Sequence, residues 1–249
     1  EELQTAVDLW VSDNATALET YGEINTWDVS LITDMAELFR DKSTFNDNIG
    51  NWDVSNVTNM SNMFIDADSF NQNISTWDVS NVTNMEAMLA YTSFNGNLSN
   101  WDVSNVTNMQ QMFKGASIFN GDLSSWDVSN VTNMKGMLAN ASSFNGDIST
   151  WDVSNVTTMH AMFNATETSH SSFNGDISSW DVSNVTTMWA MFANALSFNR
   201  DISSWDVSNV TDMTNIFIGA DTLSDENKCA IHTSWSSNDA WPYDWSDLC

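Results

Sequence analysis

Apolar and polar positions follow one short rhythm along almost the whole chain. In residues 148–174, Ile148-Ser-Thr-Trp151-Asp-Val153 sets apolar side chains at i, i+3 and i+5. That spacing predicts a short strand that turns Trp151 and Val153 inward and leaves Asp152 and Ser154 outside, because successive strand side chains alternate faces. The rhythm then changes. Val57, Met60, Met63, Phe64 and Ala67 recur every three or four residues, which predicts one stripe of a short helix, capped by Ser55 or Thr58. Phe70 closes the stripe and Asn71 opens a turn. In four units that turn reads Asn-Gly, at Asn95-Gly96, Asn120-Gly121, Asn145-Gly146 and Asn174-Gly175, whereas Asp47, Gln72 and Arg200 hold the second position elsewhere. A left-handed backbone is therefore not demanded there in every unit.

Both rhythms repeat. Trp-Asp-Val-Ser recurs with its indoles at Trp27, Trp52, Trp77, Trp101, Trp126, Trp151, Trp180 and Trp205, and Ile24, Ile49, Ile74, Leu98, Leu123, Ile148, Ile177 and Ile202 each precede the Trp by three. A fixed period near 25 means stacked units, none of which buries its apolar face alone. The spacing Ile-x-x-Trp-x-Val has the form of a leucine-rich repeat. The expected fold is thus an α/β repeat solenoid, leucine-rich-repeat-like, with eight coils, each a short parallel strand plus a short helix, capped at both ends. Rows of Trp, Val, Met and Phe should fill it, with Met serving as adaptable packing rather than as a metal or haem ligand. Length varies at one edge only. The stretch 89–94 has lost one residue, and the loop at 164–172 has gained four.

The expected division is an N-terminal helical cap at 1–23, an eight-coil solenoid at 24–220 and a C-terminal cap at 221–249, together one domain. Leu3, Ala6, Val7, Leu9 and Trp10, then Ala17, Leu18 and Tyr21, read as two short helices over the first coil. Trp235, Trp241, Trp245 and Pro242 make the other end aromatic. Cys229 and Cys249 lie together there. Two thiols in one short segment suggest a disulfide and an oxidising compartment, with two buried free cysteines as the alternative.

Charge narrows the partners. Asp and Glu number 33 against 6 Lys and Arg, for a net charge of -27. Nucleic acid and anionic membranes are disfavoured, since phosphate binding needs clustered cations. No apolar run is long enough to span a membrane, and Glu1-Glu2-Leu3 shows neither the basic nor the apolar region of a leader. Protein or glycan ligands, of which charge favours basic proteins and neutral glycans, together with cations and copies of the chain itself, remain as partners.

Trp101-Asp102-Val103-Ser104-Asn105-Val106-Thr107-Asn108-Met109, with Met112-Phe113 and the following Phe-Asn-x-Asp-Ile-Ser, resembles the 25–26-residue repeat of BspA-like bacterial surface proteins, also called the mycoplasma-lipoprotein type. The likeness covers roughly residues 22–220. It implies a leucine-rich-repeat-like stack with a surface, adhesive or recognition role, and it carries over no catalytic residue. Ser30-Leu31-Ile32 in the first coil and the inserted loop depart from the pattern.

Candidate sites come in rows. Asp28, Asp53, Asp78, Asp102, Asp127, Asp152, Asp181 and Asp206 should line an outward binding face. Neighbouring carboxylates could hold divalent ions, most plausibly calcium at Asp102, Asp127 and Asp152. The competing and preferred reading is that each Asp accepts hydrogen bonds from nearby Ser, Thr or amide groups. Asn-Val-Thr is also a glycosylation sequon. Its Asn side chains (Asn56, Asn81, Asn105, Asn130, Asn155, Asn184, Asn209) are suited to bonding inward to backbone, which leaves Asn14 and Asn164 as the better glycan sites. His160, His170 and His232 are scattered, and no phosphate loop, zinc motif or catalytic triad is legible. No cofactor other than calcium is expected. The chain reads as a non-enzymatic extracellular or cell-surface protein that mediates adhesion or recognition through a repeated acidic-polar face. The alternatives are a subunit of a surface filament or sheath and, ranked last for want of Thr-x-Thr rows, an ice or mineral binder.

Overall fold

The computed structural model describes residues 1–166 and 168–249. Eight repeats stack in register, and each indole from Trp52 to Trp205 is hooked to the layer before it, whereas Trp27 Nε1 donates to Gly22 O. Trp52 Nε1 donates to Ile24 O at 2.8 Å, Trp101 to Ile74 O at 3.1 Å and Trp205 to Ile177 O at 3.0 Å. The rings from Trp52 to Trp205 are 3–4% exposed. Removing each from water contributes about 4–6 kcal/mol before chain entropy is counted. Val54, Met60, Met63, Phe64 and Phe70 and their counterparts are equally buried. The Phe rows run face to face, Phe119 on Phe144 at 6.0 Å and Phe163 on Phe192 at 5.6 Å.

The strand and helix expected in each coil do not form, so the α/β solenoid reading is corrected. Helix is confined to the ends: α1 (Glu2–Ser12), α2 (Asn14–Tyr21) and α3 (Asp225–Trp235), with two short 3-10 turns, Ile24–Thr26 and Ser246–Leu248. The segment read as strand is a turn: Trp52 N donates to Ile49 O and Val57 N to Val54 O. Among the described residues there is no sheet. Parallel pairing is limited to isolated bridges, from Asp34–Asn59 through to Thr187–Asp212, and these fall inside the stretch read as helix.

The reason lies in where that stretch sends its amide protons. Met60, Asn62, Phe64 and Asp66 donate to Asn84, Glu86, Met88 and Ala90 in the next layer, while Met63, Ile65 and Ala67 donate back three residues. Alternate amides are thus unavailable for an i→i−4 ladder. A chain of three-residue turns produces the same three-to-four-residue apolar recurrence that a helix would. It needs left-handed backbone at two points in seven of the layers, as at Asn62 (φ 56°) and Asp66 (φ 58°), and at one, Ala161, in the layer that carries the inserted loop; Asn, Asp and Gly tolerate that region better than most residues.

The glycine of the Asn-Gly turn has another role. A Cβ on Gly121 would meet the Phe119 ring at 2.9 Å and Gly96 O at 3.1 Å, so close packing rather than positive φ selects it. Side chains carry the outer hydrogen bonds between layers. Asn120 N donates to Asn95 Oδ1 at 2.9 Å, and Thr132 Oγ1 to Thr107 O at 3.2 Å.

At the first layer, α1 lays Trp10 against Trp27, and Trp10 Nε1 reaches Asp47. At the last, α3 sets Trp235 on Trp205, with ring centroids 6.1 Å apart, and so extends the Trp row by one ring. The Trp235 N–H is buried without a partner. Cys229 and Cys249 form a disulfide that ties α3 to the chain's last turn.

Candidate functional site

The predicted Asp row is exposed and internally occupied. Asp102 Oδ1 accepts from Ser104 N at 3.0 Å and from Ser104 Oγ at 2.6 Å, and Asp53 and Asp78 repeat the pair. Asp127, Asp152, Asp181 and Asp206 accept from the amide two residues on at 3.0 Å, as Asp28 does at 3.1 Å. The Ser hydroxyl, and then its amide, hold the carboxyls of Asp53, Asp102, Asp127 and Asp152 below the usual carboxylate range. The stabilised turn has a clear local purpose, the hydrogen-bonding option preferred from sequence. Among the described residues no three His, Cys, Asp or Glu side chains gather as an ion site.

The sequon Asn side chains also face a fixed task. Asn105 Nδ2 donates to Ser80 O and Asn130 Nδ2 to Ser104 O, both at 2.7 Å. The nitrogen that would carry a glycan is therefore engaged layer after layer. Asn14 is exposed at the start of α2, and Asn164 is half-buried beside the inserted loop.

A different face varies from layer to layer, and no motif marks it. Counting from each Trp, Asp at +1, Val at +2, Ser at +3 and Met at +8 are the same in all eight repeats. Position +9 holds Ala36, Ser61, Glu86, Gln110, Lys135, His160, Trp189 and Thr214, eight different residues. Positions +10, +13 and +14 vary too. The side chains at +9 stand half-buried or exposed on the turn stretch and touch their neighbours along the stack. Gln110 Nε2 donates to Glu86 Oε1 at 2.9 Å, and the His160 ring stacks on Trp189 at 4.6 Å. Nothing in the backbone ladder depends on which side chain stands there. The signal available in the sequence was this column of differences, visible once the repeats are aligned on Trp.

In the middle of this face lies a cavity of about 200 Å³. Its floor is Gly136, Ala139 and Ala161, where other layers carry larger groups such as Asn62 or Ile65. Its walls include Lys114, Lys135, His160 and Trp189. Burial pushes His160 below the usual imidazole range, assisted by Lys135 and opposed by Asp212. Gly115 gives Tyr91 room to lie over the adjacent layer, since a Cβ there would overlap the ring, and Lys114 Nζ sits 5.7 Å from the centre of that ring. A larger open groove of about 720 Å³ separates the last repeat from the C-terminal segment, lined by Asp206, Ser208, Thr211, Asn238 and Asp239. Asn238 fills the role of a further layer there, donating to Val207 O and Val210 O. His232 is taken up by Trp241, whose Nε1 donates to its Nδ1. His170 is exposed on the inserted loop. Among the described residues no helix is long and apolar enough to cross a membrane.

Comparison with the curated proteins and with the solved structures gave no match. A family model described as "Mycoplasma protein of unknown function, DUF285" matches three times in tandem, over residues 10–99, 90–171 and 167–239. Those matches run through the Trp-hooked repeats, and the chain belongs to that repeat family.

Proposed function

We propose that this chain is a non-enzymatic recognition module of an extracellular or cell-surface protein, of the BspA-like kind, which meets a protein or glycan ligand through the face built by positions +9, +10, +13 and +14. The observation that carries this is the contrast between columns. The Trp hook, the Asp-Ser turn and the Met core repeat without change, whereas position +9 differs in all eight layers. A purely structural array has no need of unlike groups at +9, +10, +13 and +14 while the exposed Asp column at +1 stays constant. A binding surface does, because specificity comes from unlike groups placed side by side.

In this reading the Asp row and its Ser partners are scaffold and solvating surface, and the net charge of -27 keeps the stack soluble and discourages polyanionic partners such as nucleic acid. Catalysis has no support from the histidines, of which one stacks on Trp189 and another serves Trp241.

The test is a variant with Glu86, Gln110, His160 and Trp189 all changed to Ser, the residue that Ser61 already supplies at this position. Wild type and variant are compared on glycan and extracellular-protein arrays and by thermal melting. The expected result is loss of the array signal with the cooperative melt retained. An array pattern unchanged in a folded variant would overturn the reading.

A further inference from the structure

We infer that the cavity between Lys114 and Trp189 binds one acidic sugar residue of a longer saccharide, with its carboxylate or sulfate between Lys114 and Lys135. The inference deepens the recognition reading above and rests on it.

Four observations on this cavity point the same way. The first is charge. Acidic side chains outnumber basic ones 33 to 6, yet among the described residues neither Lys114 nor Lys135 has a carboxylate within ion-pair distance. Arg40, Lys42 and Lys228 do. Among the described residues Arg200 has no such carboxylate either, its Nε donating to Asn174 O, but Lys114 and Lys135 line one cavity and together make a place for an anion supplied from outside. Asp212 acts on the His160 side of the cavity, away from the lysines, and exposed charges more than about 8 Å off are largely screened at physiological ionic strength. A polynucleotide would need a whole row of such cations. One sugar needs one pair.

The second is size. A cavity of about 200 Å³ is smaller than the usual 300–1,000 Å³ or so of drug-sized sites. It suits a single ring, and its open side leaves room for the rest of a chain.

The third is hydrogen-bonding capacity. Gln111, Asn140 and Asn164 line the cavity. Asn140 Oδ1 already accepts from Thr166 N and Ser169 Oγ at 2.9 Å, so its Nδ2 is the group left to donate. Amides of this kind match ring hydroxyls, which both donate and accept. An aspartyl or glutamyl side chain would engage the lysines and leave the amides idle.

The fourth is the wall. His160 and Trp189 stack on one another at 4.6 Å and both line the cavity, supplying aromatic contact area for the apolar C–H groups of a sugar ring at little entropic cost. The floor of Gly136, Ala139 and Ala161 is what lets the ring sit down between the layers.

The measurement is isothermal titration of the whole chain with four probes: a tetrasaccharide bearing uronic acid, a sulfated tetrasaccharide, the neutral counterpart and tetraglutamate. The expected result is a Kd on the order of 10⁻⁴ M for one acidic saccharide, with binding of the neutral one about tenfold weaker. Lys114→Gln with Lys135→Gln, and separately Trp189→Ala, should each weaken the acidic saccharide about tenfold, with melting temperatures close to wild type.

Which of the two acidic saccharides binds tells carboxylate from sulfate. Equal binding by the double lysine variant, or no saccharide bound by folded wild type, would overturn the proposal. Tetraglutamate binding as tightly as the saccharides would overturn the sugar assignment in favour of a site that reads charge alone. Array binding lost in the four-residue Ser variant but kept in the double lysine variant would remove this cavity and leave the recognition reading standing.

Discussion

The indole N–H of Trp126 donates to the carbonyl oxygen of Leu98, one layer back, at 3.0 Å. One residue thus serves two ends. Its ring fills the core, and its single polar atom finds the Leu98 carbonyl, which already accepts from Trp101 N within its own layer and so ties two layers together. Trp126→Ala is expected to cost roughly 3–5 kcal/mol through the cavity it leaves. Trp126→Phe keeps most of the packing and leaves Leu98 O with Trp101 N alone, at about 0.5–1.5 kcal/mol for the lost bond. Asp127→Asn, which keeps an acceptor for Ser129, should cost far less. Denaturant melts of the three variants check the order. A neutral Trp126→Phe would show that the hook adds nothing to the packing.

The Asp-Ser turns predict an acid response of definite sign. Hydrogen bonds from Ser104, Ser129 and Ser154 hold Asp102, Asp127 and Asp152 below their ordinary range in the folded chain. The unfolded carboxyl titrates near 3.9 or so. Their stabilising contribution is therefore fully present above that pH and is lost as pH falls through the lower, folded values. Carbon-detected NMR titration should find these carboxyl midpoints below that of a free Asp. Changing the three serines to Ala should move them up. Midpoints that do not move would remove the turn as the cause.

Calcium, magnesium and chelator at one ionic strength are expected to give the same melting temperature, because one oxygen of each Asp in the row already serves its own Ser. Lower ionic strength should destabilise the chain in all three, since unscreened carboxylates repel. A rise confined to calcium, and lost with Asp102, Asp127 and Asp152 changed to Asn, would make the row a cation site after all.

Reduction of Cys229–Cys249 should lower stability by roughly 3 kcal/mol, as expected for a closed loop of about 20 residues. The loss should be felt first at the end of the stack, where Trp235 lies on Trp205. Hydrogen exchange with and without reductant checks both points. Protection lost at α3 and the last layer while the middle layers hold is the expected pattern. Uniform loss would mean that the stack melts as one unit.

The sequence by itself determined the repeat and the sidedness of its layers. Trp52, Val54, Met60 and Phe64 are inside and Asp53 is outside, because burial follows hydrophobicity and needs no knowledge of backbone state. It also placed the two cysteines close enough along the chain to pair. Backbone state was decided only by the tertiary structure. Val57, Met60, Met63, Phe64 and Ala67 fit a helix and a run of three-residue turns equally well, and the choice fell to amides such as Met60 N, which finds its acceptor at Asn84 in the next layer. An acceptor so far along the chain is invisible to any local pattern. The same holds for the candidate site. Lys114, Lys135, His160 and Trp189 come from four successive repeats, each unremarkable in its own, and they become one cavity only because stacking sets residues about 25 apart side by side.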